Sequence, residues 1–287
     1  MANLNVLKII RSELFSGAQR HRVPEPCLVM ADSAQVQAYL DAGSAQGSLA
    51  PIYLFNTSHA TALIRPGDLV LDLACGPANQ LAQVAAVNPD ARFVGIDLSA
   101  EMLKKAETVA VRQRLSNVSF EVSDIACLTH FGNGSVDVVI STLAMHHLPD
   151  KATLERVFVE LKRVLKPDGR VYFSDLGQLR SERSIAEFAQ QYAAQQPEVF
   201  NLDYLNSLRA AFSVADFRSA MRPLGSRVRL FSTFLVPYLI VVKSPALARL
   251  DAVRRRRIGV FEDLMSAEQR IDFRSLRRFF RFGGLAA

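Results

Sequence analysis

Hydrophobic and polar positions divide the chain by texture. Through the first 60 residues short helical patterns are interrupted by Pro24, Pro26 and the stretch from Gly43 to Pro51. From Asp68 onward, apolar runs of strand length take over at Leu69–Leu73, Arg92–Ile96, Val118–Val122, Val136–Ser141 and Gly169–Ser174. Helical patterns lie between them at Gln80–Val87, Ser99–Leu115 and Thr153–Leu165. Strands alternating with helices at this spacing predict βαβ units and a parallel sheet. Strands buried on both faces are apolar throughout, and Val136-Asp-Val-Val-Ile140 fits apart from its edge aspartate. After Asp175, Ser181 to Leu224 reads as wholly helical, with Leu202, Leu205, Leu208 and Phe212 at helical spacing along Asn201–Phe217. Arg227–Phe231 and Leu235–Val242 predict an antiparallel pair closing the sheet edge, and Ala246–Phe282 is helical again. The expected class is α/β with a doubly wound, mostly parallel sheet, and no internal repeat is present.

Composition narrows the setting. Hydrophobic residues make up 49% and charged residues 22% of 287, the balance of a soluble globular protein. No apolar run approaches the roughly 18 residues of a membrane span. The best candidate, Phe234 to Val242, is short and contains Pro237 and Tyr238. Lys8, Arg11 and Glu13 interrupt the N-terminal apolar residues, which excludes the unbroken core of a secretory signal and makes the cytoplasm the expected location. Cys27, Cys75 and Cys127 are too few and too scattered for a disulfide framework or a metal site, so reduced structural thiols and no metal are expected. The net charge is +6, and from Pro245 to the end ten arginines face five acids, which places five of those charges in the tail. A basic tail on a neutral body reads as an appended element rather than a nucleic-acid-binding domain.

The chemistry concentrates at Val70-Leu-Asp-Leu-Ala-Cys-Gly-Pro-Ala-Asn79, an apolar strand running through a small-residue turn into a helix. Such a turn lets a ligand approach the backbone at the carboxyl end of a strand, where doubly wound folds bind ligands. Phe93-Val-Gly-Ile-Asp97 follows as a second strand ending in an acid, suited to the two ribose hydroxyls of a nucleoside. A dinucleotide site wants G-x-G-x-x-G and N–H groups aimed at a pyrophosphate. Here the turn has one glycine, Gly76, and then Pro77, which has no N–H, so a nicotinamide oxidoreductase is disfavoured. A nucleoside without phosphate fits better. S-adenosylmethionine does so, its ammonium directed to Asp72 and the strand-end carbonyls.

These segments resemble the motifs of the class I S-adenosylmethionine-dependent methyltransferases. Leu71 to Ala78 resembles the glycine-rich first motif, and Gly95-Ile-Asp-Leu-Ser99 the second. Ser123-Asp124-Ile125 occupies the position of the adenine-contacting acid and its apolar neighbour. Val136 to Asp150 is similar to the fourth strand and its loop, and Leu165 to Tyr172 to the turn into the fifth. The matches run in order from Pro66 to Asp175. They imply a seven-stranded Rossmann-like sheet ending in an antiparallel hairpin, with S-adenosyl-L-methionine as cofactor. The implied cofactor residues are Asp72, Ala74, Cys75, Gly76, Asn79, Gln80, Asp97, Leu98, Met102, Ser123, Asp124, Ile125, Thr142 and His147. The chain departs from the motif at Ala74 and Ala78, which replace common glycines; alanine there implies negative φ angles.

The resemblance partitions the chain into an N-terminal helical cap (1–60), a cofactor-binding core (61–180), a helical acceptor-recognition insert (181–224), the last antiparallel strands (225–244) and a basic amphipathic extension (245–287). Methyl transfer is an in-line displacement that rests on positioning, and a general base matters when the nucleophile arrives protonated. His146 and His147, on the loop after strand four, are the catalytic candidates, weighed against a structural role. Tyr53, His146, Asp175, Tyr192 and Tyr204 are candidates for the acceptor, whereas His59 and His130 have no partner pattern and read as surface or loop residues. The acceptor is expected to be a small molecule, as in secondary metabolism. Phe273, Phe279, Phe280 and Phe282 suggest that the tail docks on the body or on a partner, a homodimer included. An RNA or protein methyltransferase using Arg254 to Arg257, Arg277 and Arg278 is the alternative, as is an inactive cofactor-binding scaffold. Arsenite as acceptor is rejected for want of converging thiols.

Overall fold

A computed structural model describes residues 6–17, 20–27, 33–191 and 193–285. Three helices come first: α1 (Val6–Phe15), α2 (Ser33–Ala42) and α3 (Ala50–Thr61). The alternating core follows as β1 (Leu69–Leu73), α4 (Asn79–Val87), β2 (Arg92–Asp97), α5 (Ala100–Arg112), β3 (Val118–Val122), β4 (Val136–Thr142), α6 (Lys151–Val164) and β5 (Leu165–Leu176). Then come α7 (Glu182–Ala189), α8 (Glu198–Ala210), α9 (Val214–Ala220), β6 (Arg229–Ser232), β7 (Leu239–Lys243), α10 (Ala252–Asp263) and α11 (Ala267–Phe282). The strands form one sheet in the order β3-β2-β1-β4-β5-β7-β6. β1 to β5 pair in parallel, and β7 runs antiparallel to both β5 and β6. The order reverses between β1 and β4, so the crevice beyond their carboxyl ends is the place where such a sheet receives a ligand.

Each element follows from its residues. The central strands are apolar along their length because both sheet faces are covered, by α3, α4, α5 and α11 on one side and α6 and α9 on the other. The exception, Asp137, receives the Leu69 N–H at 2.9 Å and Lys166 Nζ at 2.7 Å. Ser99 starts α5 by accepting from Met102 N, and Asp150 starts α6 by accepting from Thr153 N at 2.7 Å.

Two expectations change. The 181–224 region is interrupted: α8 stops at Ala210, Phe212 bridges to Gly177, and Ser213 opens α9 with a capping box completed by Asp216. Phe212 is buried by this sheet-edge contact rather than by helical periodicity. His59 is a core residue, 4.5 Å from the Phe55 ring centroid, with Lys243 Nζ 3.4 Å from its Nδ1. His130 is exposed and pairs with Glu121. Among the described residues no helix is long and apolar enough to cross a membrane. The basic tail packs back on the body, with the α11 residues Phe273, Leu276 and Phe280 buried and Phe280 stacked on Phe55 at 4.8 Å.

Candidate active site

The turn after β1 is built on three left-handed residues, Ala74 at φ 53°, Gly76 at 54° and Ala78 at 63°. The negative angles expected of the alanines do not occur. Cys75 N donates to Ile96 O at 2.9 Å, and that tie to β2 holds the turn tight enough to impose them. A Cβ on Gly76 would meet nothing within 4 Å, so open space lies in front of the turn. At Gly95 a Cβ would come 2.8 Å from Cys75 Sγ and from Phe120, so this glycine lets β2 pack under the turn.

Asp97 fixes both sides of the crevice: Oδ2 accepts the Gly76 N–H and Oδ1 the Ser99 N–H, each at 2.8 Å. Burial raises its pKa despite those bonds. Asp72 lies deeper, 2% exposed, and its carboxyl is pushed far above the usual range by burial and then by the charge of Asp97. Two crowded acids of one sign favour a cationic ligand.

Two cavities meet here. The first is a cleft along the ends of β1, β2 and β4, lined by Ala74, Cys75, Gly76, Gln80, Asp97, Leu98, Met102, Asp124, Ile125, Thr142 and His147. Tyr39 from α2 and Tyr53 from α3, hydrogen-bonded to each other, cover it. The second is a mostly apolar chamber walled by Ile52, Leu176, Phe200, Tyr204, Leu239 and Leu276. Glu25, Asp203 and Asp272 are its carboxylates and His146 and His147 its imidazoles, and no lysine or arginine lines it among the described residues. Tyr39, Leu143 and His147 belong to both cavities. Leu143, at φ 53° with its N–H donated to Ser174 O at 2.8 Å, stands on their boundary.

A polar cluster forms the inner end of the chamber. His146 and His147 occupy a single 3-10 turn, Met145–His147, with ring centroids 4.3 Å apart. Asp175, at the end of β5, accepts the His146 backbone N–H at 3.0 Å and the Leu176 N–H at 2.6 Å, and meets His146 Nδ1 at 2.6 Å. Glu25 Oε2 is 2.8 Å from His147 Nδ1, and Glu25 Oε1 accepts from Ser207 Oγ at 2.7 Å and stands 3.8 Å from His146 Nε2. Burial pulls the His146 pKa down, but the charge and hydrogen bond of Asp175, with Glu25 behind, leave it raised. Burial pushes Glu25 up, and His147, His146 and Ser207 together hold it at about 2. Arg22 fastens the turn from outside. It donates to the carbonyls of His146 at 2.8 Å, Pro149 at 2.7 Å, Leu148 and Ala210, and packs 4.0 Å over the Phe212 ring.

The anticipated cofactor residues thus converge, except for three. Asp72 sits beneath the turn, Asn79 Nδ2 donates to Leu40 O at 2.9 Å, and the Ser123 N–H is directed to Asp97 O. Of the acceptor candidates, His146 and Tyr204 line the chamber, Tyr53 lines the cleft and Asp175 lines neither. Tyr192 lies outside the described residues. Glu25, Tyr39, Leu143, Asp272 and Leu276 were not anticipated. Of these only Glu25, an acid between Pro24 and Pro26, carried a local signal.

A family model described as a methyltransferase domain matches residues 64–211. The arsenite methyltransferase of Halobacterium salinarum is 38% identical over 120 residues, 42% of this chain and 30% of that protein. The trans-aconitate 2-methyltransferase of Azoarcus is 40% identical over 100 residues, 35% of this chain and 36% of that protein. The chain therefore spans about a third of the length of the curated relatives it matches. The crystal structure of an S-adenosylmethionine-dependent methyltransferase from Aquifex aeolicus superposes with a TM-score of 0.54 at 18% identity, covering 76% of this chain and 100% of the other, a likeness of fold.

Proposed function

Because this chain belongs to the class I S-adenosylmethionine-dependent methyltransferases, we propose that it transfers a methyl group to a small, largely apolar acceptor that carries no negative charge. The observation that carries this reading is the pair of cavities meeting at Leu143 and His147, one at the strand ends beside Asp97 and Asp124, the other mostly apolar with Glu25, Asp203 and Asp272 as its carboxylates. S-adenosylmethionine supplies a methyl group activated by a sulfonium. The protein's part is to hold and to exclude. Asp97 retains lone pairs for ribose hydroxyls, an ammonium above the turn would favour the ionised form of Asp72 beneath it, and Asp124 with Ile125 takes the adenine. Tyr39 and Tyr53 keep water out. Orientation of this kind supplies several kcal/mol without acid–base help.

A protonated acceptor needs a base. Asp175 takes the Nδ1 side of His146, which leaves Nε2 facing the chamber to receive the proton. Such assistance is worth roughly 100- to 10,000-fold. Acceptor charge follows from the lining. A tricarboxylate such as trans-aconitate would meet Glu25, Asp203 and Asp272 with no lysine or arginine in the lining. Arsenite would want thiols, yet Cys27 and Cys127 are exposed and Cys75 lies in the turn with its pKa raised by burial and by Asp72 and Asp97. In this reading residues 1–60 cap the cofactor and 181–224 recognise the acceptor, and an apolar acceptor of this kind suits cytoplasmic secondary metabolism.

Calorimetric titration with S-adenosylmethionine is expected to give micromolar binding that is lost in Asp97→Ala, with no binding of NADH. Turnover is then expected on neutral or amine-bearing aromatic acceptors and not on tricarboxylates. No binding by the wild type defeats the reading. Binding without turnover on any acceptor points instead to a cofactor-binding scaffold.

A further inference from the structure

We infer that Glu25, His146 and His147 form a binding site for a divalent transition-metal cation at the inner end of the acceptor chamber. One ligand-capable atom from each residue lies within 4.8 Å of the other two. Sequence spacing gives no hint of this, because the carboxylate arrives from a loop far upstream of the two histidines.

The hydrogen bonds around the cluster fix which atoms are free to ligate. Asp175 accepts two backbone N–H groups, so its carboxylate is an acceptor and the proton between it and His146 belongs on Nδ1. Nε2 of the neutral ring then carries a lone pair. It points toward Glu25 Oε1 across 3.8 Å, too far for a hydrogen bond. A carboxylate behind a histidine, setting its tautomer and orientation, is the outer shell that metal-ligating histidines almost always have. Ser207 does the same for Glu25, donating to Oε1 at 2.7 Å. Ligands at about 2.0–2.1 Å from a tetrahedral ion stand roughly 3.3 Å apart. His146 Nε2 lies 3.8 Å from Glu25 Oε1 and His147 Nδ1 2.8 Å from Glu25 Oε2, so both imidazoles stand near that separation from the one carboxylate, and small shifts of its two oxygens admit a cation.

The cluster is also held in place. Both histidines share the short turn that Arg22 clamps through carbonyls, and the Arg22 N–H groups point at those carbonyls rather than into the cluster. Two imidazoles and one carboxylate leave a coordination position open, the arrangement of catalytic rather than structural sites. That position faces the chamber, where an acceptor oxygen would bind and become more acidic. Cation and proton compete for the same Nε2, so the metal-bound protein does not use His146 as a base.

The test uses metal-stripped full-length protein titrated with Co²⁺, read by visible absorption and calorimetry, with Zn²⁺ as competitor. One equivalent is expected to bind with a dissociation constant in the micromolar range or below and with the intense bands of four- or five-coordinate cobalt. Glu25→Gln and His147→Ala are each expected to weaken binding at least 10-fold, and Asp175→Asn by about 10- to 100-fold. His130→Ala, an exposed histidine elsewhere, is expected to change nothing. Circular dichroism establishes that each variant is folded, and if one is not, imidazole-nitrogen hyperfine coupling to Cu²⁺ in the wild type provides the readout. Cobalt binding no tighter than in His147→Ala, or an absence of nitrogen coupling, overturns the site. S-adenosylmethionine binding by the same preparations is measured in parallel, so loss of the metal site and failure of the methyltransferase reading are separate results.

Discussion

Ala74 and Ala78 hold left-handed backbone, where a Cβ crowds the following carbonyl at a cost of roughly 1–2 kcal/mol per residue. Glycine removes that cost but frees the unfolded chain. Ala74→Gly and Ala78→Gly are therefore expected to raise stability by about 0.5–1 kcal/mol each, seen as a higher urea midpoint at unchanged slope. A lower midpoint would mean the turn is not strained. His59 has the opposite character. Burial first, then the charges of Lys243 and Arg277, hold its pKa at about 3. The unfolded chain protonates near 6.5, so its stabilising contribution is complete above that pH and declines as the pH falls toward 3. Between pH 7 and 5 this residue is expected to account for about 2 kcal/mol of lost stability. Denaturant melts of His59→Phe, which keeps the ring and removes the proton site, should lack that part of the pH slope.

At the scale of elements, α3 joins the N-terminal helices to the core through buried amides. Gln80 Nε2 donates to Thr57 Oγ1 at 2.9 Å, Asn56 Nδ2 to Gln80 Oε1 at 3.2 Å, and Tyr172 OH to Asn56 Oδ1 at 2.8 Å. Gln80→Leu strands Asn56 and Thr57 in an apolar setting and is expected to cost about 1–3 kcal/mol, measured by thermal unfolding. The tail helix α11 packs against the same α3. Phe280, 1% exposed and stacked on Phe55, should cost about 3–5 kcal/mol when replaced by alanine. Leu276 on the same face also lines the chamber, so Leu276→Ala is expected to raise the KM for acceptor while leaving that for S-adenosylmethionine nearly unchanged. Equal effects on both would place α11 outside acceptor recognition. The arginines of the tail read alike in sequence but differ in place: Arg254 and Arg257 donate to the carbonyls of Ile64 and Val87, while Arg255, Arg256, Arg274 and Arg278 face outward.

For the molecule as a whole, buried Asp72 and half-buried Asp97 couple ligand binding to pH. Burial raises both carboxyls, and a cationic ligand favours their ionised forms. Binding should release protons, and affinity for S-adenosylmethionine should strengthen as the pH rises above the ordinary carboxyl range; a flat calorimetric profile would disprove the coupling. That half of the site was legible because each of its parts is local. Leu69–Leu73 is a strand with the bounds its apolar run implies, since burial on both faces leaves no polar alternation to confuse it. A turn and an acid at the ends of adjacent parallel strands are brought together by any sheet those strands can form. The chamber was not legible in this way. Glu25 precedes the core, His146 follows β4, and Leu276 lies in a tail expected to dock on the body or on a partner, with nothing to say which face of the body would receive it. Nor could periodicity separate Phe212, buried at a sheet edge, from a helical core residue. By itself the sequence determined the sheet and the position of the small-residue turn after β1, though not the left-handed angles of Ala74 and Ala78, because strand burial and turn chemistry act over a few neighbouring residues. Only the tertiary structure decided the second chamber and its polar cluster, because these depend on which distant faces pack together, and hydrophobic burial has no direction that a linear pattern can record.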